Sequence, residues 1–374
     1  MDNFHIAKTF QGLETVLENE LIQLGAKNTR KLSRSVSFQA ELPLVYTANL
    51  KLRTALRILT PLAVDTVKNQ FQLYELASSI NWQRWFTEEQ TFSIQSKSFK
   101  NDAFNNSTFI SMKVKDAIVD QFRRLKGSRP SINNQSPDVI IDVHIFKQNC
   151  TISIDSSGES LHRRGYRNSG HRAPLNECLA AGMVLLSGWD KESPLVDPFC
   201  GTGTILCEAA LMAQNIPPNI QRKRFGFENW KNFDKKLWEK VWLEAKAGTV
   251  KPKTTLKGSD ISPKVIHFAK DHINNARVDN MVYLSAGHFD SKKVPEGKGF
   301  VITNPPYGER MGAADIEQLY KAFGDDLKQR YKGYNAWVIS SIENFNRFIG
   351  LRPSKKINLF NGGLACQYMN FEMY

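Results

Sequence analysis

Leu195-Val196-Asp197-Pro198-Phe199-Cys200-Gly201-Thr202-Gly203-Thr204 is the stretch whose reading decides the fold. An apolar pair and a carboxylate end a strand, and Pro198 cannot extend a ladder. A turn with two glycines follows, and then Ile205, Leu206, Ala209 and Met212 recur at helical spacing. A strand that feeds a glycine turn and then a helix is the unit of an α/β sheet. Glycines there let a ligand approach the backbone closely. The turn lacks the Lys-Ser/Thr of a triphosphate cradle and the full three-glycine fingerprint of dinucleotide folds, which argues against both.

A second stretch stands downstream: Ile302-Thr303-Asn304-Pro305-Pro306-Tyr307-Gly308-Glu309-Arg310. It follows the apolar run Gly299-Phe300-Val301-Ile302, which reads as a buried strand. Two consecutive prolines end that strand, so Asn304 to Tyr307 should sit at its carboxyl end, where open α/β sheets place ligands. The Asn304 side-chain oxygen and a backbone carbonyl beside Pro305 can each accept one N–H of a planar amino group. Pro306 stiffens the turn, and Tyr307 offers a ring on which a base can stack. Read alone, the stretch is equally a Pro-Pro turn with a packed tyrosine.

Between the two lies Lys257-Gly258-Ser259-Asp260-Ile261-Ser262-Pro263, a strand that ends in a carboxylate. Ser262 caps and Pro263 opens a helix through Ala276. Val282-Tyr283-Leu284 gives a third strand, followed by Gly287-His288-Phe289-Asp290. After the Pro-Pro turn, Ile316, Leu319, Phe323 and Leu327 mark a helix and Ala336-Trp337-Val338-Ile339 a further strand. The segment from Lys356 to Met373 reads as a terminal hairpin.

At 374 residues the chain is too long for one ordinary domain. Its net charge of +13 favours a polyanionic partner. The excess is uneven: residues 1–160 carry 19 basic and 16 acidic side chains, residues 161–374 carry 31 and 21. Five cysteines, odd in number and scattered, indicate neither a zinc site nor a disulfide framework, and a reducing cytoplasm fits. The first ten residues hold no signal-type apolar core and no run approaches a membrane span, so a cytoplasmic protein with no membrane partner is expected.

Residues 1–60 read as a small α+β unit: a strand at His5-Ile6-Ala7, a helix that Gly25 stops, a strand over residues 36–40, and a second helix carrying Val45, Ala48, Leu52, Leu56 and Ile58. Arg53 and Arg57 are expected as solvated helix charges. Residues 61–160 form a second unit, with helical patterning over 73–80 and 109–125, a strand over 92–96, and a hairpin about Lys147-Gln148-Asn149. The longer helix ends in Arg123, Arg124 and Lys126, either plain C-terminal cations or a phosphate-contacting corner. This second unit resembles a THUMP domain, an RNA-binding module, on its element order and its closing Ile154-Asp155-Ser156-Ser157-Gly158-Glu159-Ser160-Leu161-His162.

Residues 161–172 contain Arg163, Arg164, Arg167 and Arg172 and no acid. Arginine forks onto phosphate and stacks on bases, so this cluster reads as a nucleic-acid contact, with interdomain ion pairing as the alternative. Residues 214–254 read as an insertion. From Arg222 to Lys253 it holds ten basic and four acidic residues, opening with Arg222, Lys223 and Arg224, and it interleaves Phe225, Phe227, Trp230, Phe233, Trp238 and Trp242. That composition suits RNA. It equally suits an amphipathic helix whose tryptophans pack on a core.

Asp-x-Phe-x-Gly-x-Gly at 197–203 resembles the first motif of class I methyltransferases, and Asn304-Pro305-Pro306-Tyr307 resembles the signature of enzymes that methylate exocyclic amines from S-adenosylmethionine. With the THUMP-like half and Arg163-Arg164-Gly165-Tyr166-Arg167, the chain resembles the bacterial THUMP-containing 23S rRNA guanine-N2 methyltransferases, often labelled N6-adenine-specific DNA methylases. The resemblance implies a ferredoxin-like unit at 1–60, a THUMP-type unit at 61–160, and a class I, Rossmann-like methyltransferase domain with a seven-stranded, mostly parallel sheet at 161–374. It implies that Leu175, Asp197, Pro198, Phe199, Gly201, Gly203, Thr204, Asp260, Ile261, Phe289, Asp290 and Asn304 hold the cofactor. Asp260 would take the ribose hydroxyls and Asp290 the adenine amino group. Asn304, Pro305, Pro306 and Tyr307 would grip a flipped base for in-line methyl transfer, with S-adenosylhomocysteine as product and no metal. The partner implied is RNA, 23S rRNA or a ribosomal precursor. Two rivals are an N6-adenine DNA methylase and a non-catalytic RNA-binding assembly protein.

Overall fold

A computed structural model of the chain describes residues 3–167, 175–307 and 312–374. The N-terminal half runs β1 (Phe4–Lys8), α1 (Glu14–Gln23), β2 (Lys27–Leu32), β3 (Ser35–Gln39), α2 (Leu42–Lys51), β4 (Arg57–Thr66), α3 (Gln70–Ser78), β5 (Thr91–Phe99), α4 (Ser107–Lys126), β6 (Ser131–Ile132), β7 (Val139–Phe146) and β8 (Asn149–Asp155). These strands form one eight-stranded sheet in the order β2-β3-β1-β4-β8-β7-β5-β6.

β4 is the hinge of that order. It pairs antiparallel with β1 on one side and with β8 on the other, so a single sheet passes through both N-terminal units, and residue 60 lies inside it. The helix expected to carry Val45 through Ile58 stops at Lys51. Leu52 is already extended, and Ile58 enters β4 to be buried between two strands. β2, missing from the sequence reading, is mostly polar and exposed. It has no apolar alternation to betray it, and such charged strands suit a sheet edge.

The C-terminal half runs α5 (Glu177–Leu186), β9 (Leu195–Asp197), α6 (Thr204–Ala213), α7 (Lys235–Ala247), β10 (Leu256–Asp260), α8 (Pro263–Ala276), β11 (Val282–Ala286), β12 (Gly299–Thr303), α9 (Ala313–Arg330), β13 (Tyr334–Ser340), α10 (Phe345–Phe348), β14 (Lys355–Asn361) and β15 (Leu364–Glu372). The seven strands order as β11-β10-β9-β12-β13-β15-β14. β9, β10, β11, β12 and β13 are parallel, and the β14–β15 hairpin adds antiparallel to β13. The chain steps outward from β9 to β10 and β11, then returns to β12 on the other flank of β9. That reversal makes β9 and β12 the switch point, where doubly wound sheets open a ligand crevice beyond the strand ends.

The insertion joins the two halves. Phe225, Phe227 and Trp230 are buried in the core of the N-terminal half. Phe227 stacks on Tyr46 of α2 at 4.3 Å between ring centroids, and Trp230 meets Trp85 edge-on at 5.2 Å. Burying each such ring stabilises the junction by roughly 1.5–3 kcal/mol. Of the two readings of these rings, packing on a core is the one realised.

Candidate active site

The turn after β9 and the end of β12 meet at the switch point. The Thr303 hydroxyl donates to Asp197 Oδ1 at 2.6 Å, tying the last residue of β12 to the last of β9. Asp197 is buried, and burial pushes its carboxyl up to about 7. The Thr303 hydroxyl and the Phe199 N–H pull it back, and the Asp260 charge adds to the rise.

Gly201 and Gly203 both hold positive φ, +51° and +77°. The two glycines serve different ends. A Cβ at Gly203 would meet Ala269 of α8 at 3.4 Å, an ordinary contact, so that glycine is there for its backbone angle. No heavy atom lies within 4 Å of a Cβ built at Gly201, so that glycine leaves room for a ligand. Asp260, at the end of β10, accepts from the Gly201 N–H at 3.2 Å and from the Ser262 N–H at 2.9 Å. The carboxylate is thus fixed beside the glycine turn by backbone donors. Ile261 next to it is 72% exposed, a large apolar side chain facing solvent at the mouth of the crevice. Ser262 caps α8 and Pro263 opens it, as their order in the sequence requires.

Asn304 follows β12 directly. Its Oδ1 is buried and has no hydrogen-bond partner. Buried acceptors left open are rare and costly, by about 1–3 kcal/mol each, so this one marks a place where a donor belongs. The rest of the turn is braced. The Pro306 carbonyl accepts from the Tyr320 hydroxyl at 3.5 Å, which also meets Ser340 Oγ at 3.0 Å. The Tyr307 hydroxyl accepts from Asn361 Nδ2 at 2.9 Å, anchoring the ring to β14.

The remaining expected cofactor residues differ in what they offer. Asp290 is exposed and lies 2.7 Å from His288 Nδ1. The Phe289 ring is buried and packs on Phe199 and Phe323. Pro198 is buried behind the turn. The Thr204 hydroxyl and the Leu175 carbonyl both accept from Arg167 Nη2, at 2.8 and 3.1 Å, and Arg167 also pairs with Glu177 at 3.1 Å. Arg167 therefore commits both terminal nitrogens inside the protein and braces the start of α6.

Three of the arginines expected on RNA are thus corrected. Arg164 is 1% exposed, pairs with Glu208 of α6 at 3.3 Å, and donates to the carbonyls of Leu161 and Arg53. Arg222 spends its terminal nitrogens on the carbonyls of Ser157, Glu159, Ser160 and Arg163. Arg53 and Arg57, expected in solvent, bond instead to the Ile216 carbonyl and to Asp155. A guanidinium leaves water only with partners, and most of these donors have found theirs. Arg163, Lys223 and Arg224 stay exposed, as do Arg123, Arg124 and Lys126 at the end of α4. Arg172 and the Gly308-Glu309-Arg310 end of the second motif lie outside the described residues.

Sequence reasoning missed the supports: Thr303, Glu177, Tyr320 and Asn361. Each is an ordinary residue outside any motif, and the partners of Thr303 and Asn361 lie far along the chain. Among the described residues no group of three or more His, Cys, Asp or Glu could hold a metal ion, and no helix is long and apolar enough to cross a membrane.

Residues 164–370 match a family model described as "RMKL-like, methyltransferase domain", residues 67–155 a THUMP domain, and residues 5–59 an RlmL ferredoxin-like domain. The Synechocystis protein named "Putative RNA methyltransferase slr0064" is 38% identical, covering 99% of this chain and 97% of its own. The Vibrio cholerae ribosomal RNA large subunit methyltransferase K/L is 39% identical over 99% of this chain but 53% of its own, so the chain spans about half of such K/L relatives. The crystal structure of SMU.472 complexed with SAH superposes with a TM-score of 0.91 at 27% identity, covering 100% of this chain and 99% of that one.

Proposed function

Because the chain belongs to the RMKL-like methyltransferase family and carries that family's ferredoxin-like and THUMP modules, we propose that it methylates an exocyclic base amine of RNA, guanine N2 of 23S rRNA first among the candidates. Units at 1–60 and 61–160 would hold the RNA, and the unit at 161–374 would carry the chemistry. The observation that carries this reading is the open, buried Oδ1 of Asn304 at the switch point.

The residues present fit S-adenosylmethionine. Gly201 leaves its front face open, Asp260 is held rigid for a diol, and Ile261 presents an apolar surface beside it. When bound, the cofactor supplies an electrophilic methyl group. Asn304 Oδ1 accepts one N–H of the target amine and so orients the nitrogen lone pair. The braced Pro305-Pro306 backbone offers a second acceptor, and the Tyr307 ring, anchored by Asn361, stacks on the extruded base. A positioned acceptor also favours the charge that grows on the nitrogen, so its effect is largest in the transition state.

The test is tritiated-methyl transfer by the purified protein to naked rRNA, assembled large subunits and duplex DNA, with nucleoside mass spectrometry of the product. N2-methylguanosine in rRNA is the expected outcome. N6-methyladenine in DNA would replace the RNA reading, and absence of transfer with intact cofactor binding would favour a non-catalytic RNA-binding protein.

A further inference from the structure

A cleft of about 720 Å³ opens where the THUMP-type half, the 158–167 segment and the insertion meet. Six basic side chains line it against three acids. Of the acids, Glu177 pairs with Arg167, Glu159 lies 3.3 Å from Arg163, and Asp138 accepts from the Thr91 N–H and hydroxyl. Lys223 stands exposed at the rim, and Arg224, also exposed, lies 4.0 Å from Asp138. His162 reports the local field: burial first, and then the charges of Arg164, Arg163, Arg167 and Arg222, push its imidazole down to about 4.

The cleft is built, not a gap between loose loops. Arg222 staples the 157–163 backbone through four carbonyls. Gly158 and Gly226 touch so closely that a Cβ on Gly226 would sit 2.7 Å from the Gly158 nitrogen. Gly165, at φ +101°, packs on the Gln221 carbonyl. At the bottom, Glu177 is 2% exposed and its Oε2 has no hydrogen-bond partner, and Arg167 Nε and Arg222 Nε are likewise open.

We propose that this junction cleft binds single-stranded RNA beside the methylated base, with phosphates at the Lys223–Arg224 rim and a base or ribose donor reaching Glu177. The proposal rests on the reading of the chain as an RNA methyltransferase. A cleft of this size holds a ligand of roughly one or two nucleotides. A cationic rim over a buried open acceptor fits a nucleotide better than a free anion, which would be repelled by the carboxylate. The Arg167–Glu177 pair forms the wall shared with the cofactor turn, so the strand would lie next to the catalytic crevice.

The test uses the full chain, a single-stranded RNA oligonucleotide of mixed sequence carrying 4-thiouridine, and an unmodified RNA duplex. For K223E/R224E the expected result is at least tenfold weaker single-strand binding with a shallower salt dependence, while S-adenosylmethionine affinity is unchanged. Cross-links in the wild type should map to residues 135–138, 158–165 and 221–229. E177Q should alter nucleotide preference without abolishing binding. Wild-type affinity in K223E/R224E, cross-links confined to α4, or a loss restricted to the duplex would each overturn the cleft while leaving the methyltransferase reading intact. Absence of methyl transfer to any RNA by the wild type would instead remove that reading.

Discussion

Two polar regions lie side by side, the arginine run at 163–167 and the crevice formed by the turn after β9 with Asn304. The run is the more conspicuous in sequence, yet its charges are largely consumed inside the protein. Arg164 sits on Glu208, Arg167 on Glu177 and Thr204, and only Arg163 remains outside. In the crevice a neutral amide keeps an acceptor open where water is scarce. Charge density advertises a partner but folding can supply it. An unmet hydrogen bond in the interior has no such resolution, and is the better mark of a ligand site.

Arg164→Ala should break the first region hardest. It leaves Glu208 buried without its cation, a loss of about 3–5 kcal/mol in stability, read by urea unfolding. Tyr166, whose hydroxyl donates to Glu208 at 3.1 Å, softens the loss. Arg164→Met with Glu208→Leu should recover most of it. Unchanged stability with weakened RNA binding would return Arg164 to the RNA surface.

Asn304→Ala should do the opposite. Removing an unsatisfied acceptor costs little stability, so the melting temperature should hold or rise. Methyl transfer in a single turnover, with RNA and cofactor saturating, should slow about a hundredfold, roughly 3 kcal/mol in the barrier. A near-wild-type rate would reduce 304–307 to a plain turn.

How much of this was legible beforehand follows from the range of the forces. The strands that end at Asp197 and Asp260, the capped start of α8, the terminal hairpin and the glycine turn were readable because each is fixed by residues within a few positions. β2 and the start of β4 were not, since β2 is mostly polar and β4 is decided by β1 and β8 from opposite ends of the half. The same holds in the site. Asp260 and Asn304 declare themselves beside prolines and glycines. Whether Arg164 or Arg222 faces RNA depends on Glu208 and on carbonyls distant in sequence. The packing of Phe289 on Phe199 and Phe323 is likewise set by residues apart in sequence.

A smaller effect should sharpen the cofactor side of the crevice. Asp260→Ala removes a carboxylate pinned by two backbone N–H groups, and S-adenosylmethionine should bind at least tenfold more weakly, about 1.4 kcal/mol by calorimetry. Gly201→Val should act similarly by placing a β-branched residue at φ +51° in the open face. Unchanged affinity in a folded variant would move the ribose elsewhere.

The smallest effect concerns the strut between the two strand ends. Thr303→Val keeps the shape and deletes the donor to Asp197, so stability should change by about 1 kcal/mol. Its pH dependence is more telling than its size. Burial raises the Asp197 carboxyl from 3.8 to about 7, so between those values the native state holds a proton that the unfolded chain has lost. Binding more protons in the native state makes stability fall as pH rises through that window. Asp197→Asn cannot ionise, and the difference between its melting curve and the wild type's should therefore grow across the same window and level off above it. Thr303→Val removes a hydrogen bond that favours the charged form, which moves the window upward. Because Thr303 adjoins Asn304, the same variant should slow methyl transfer a few-fold. A melting difference flat in pH would mean that Asp197 is ionised throughout, and the strut would then be an ordinary charge-assisted bond.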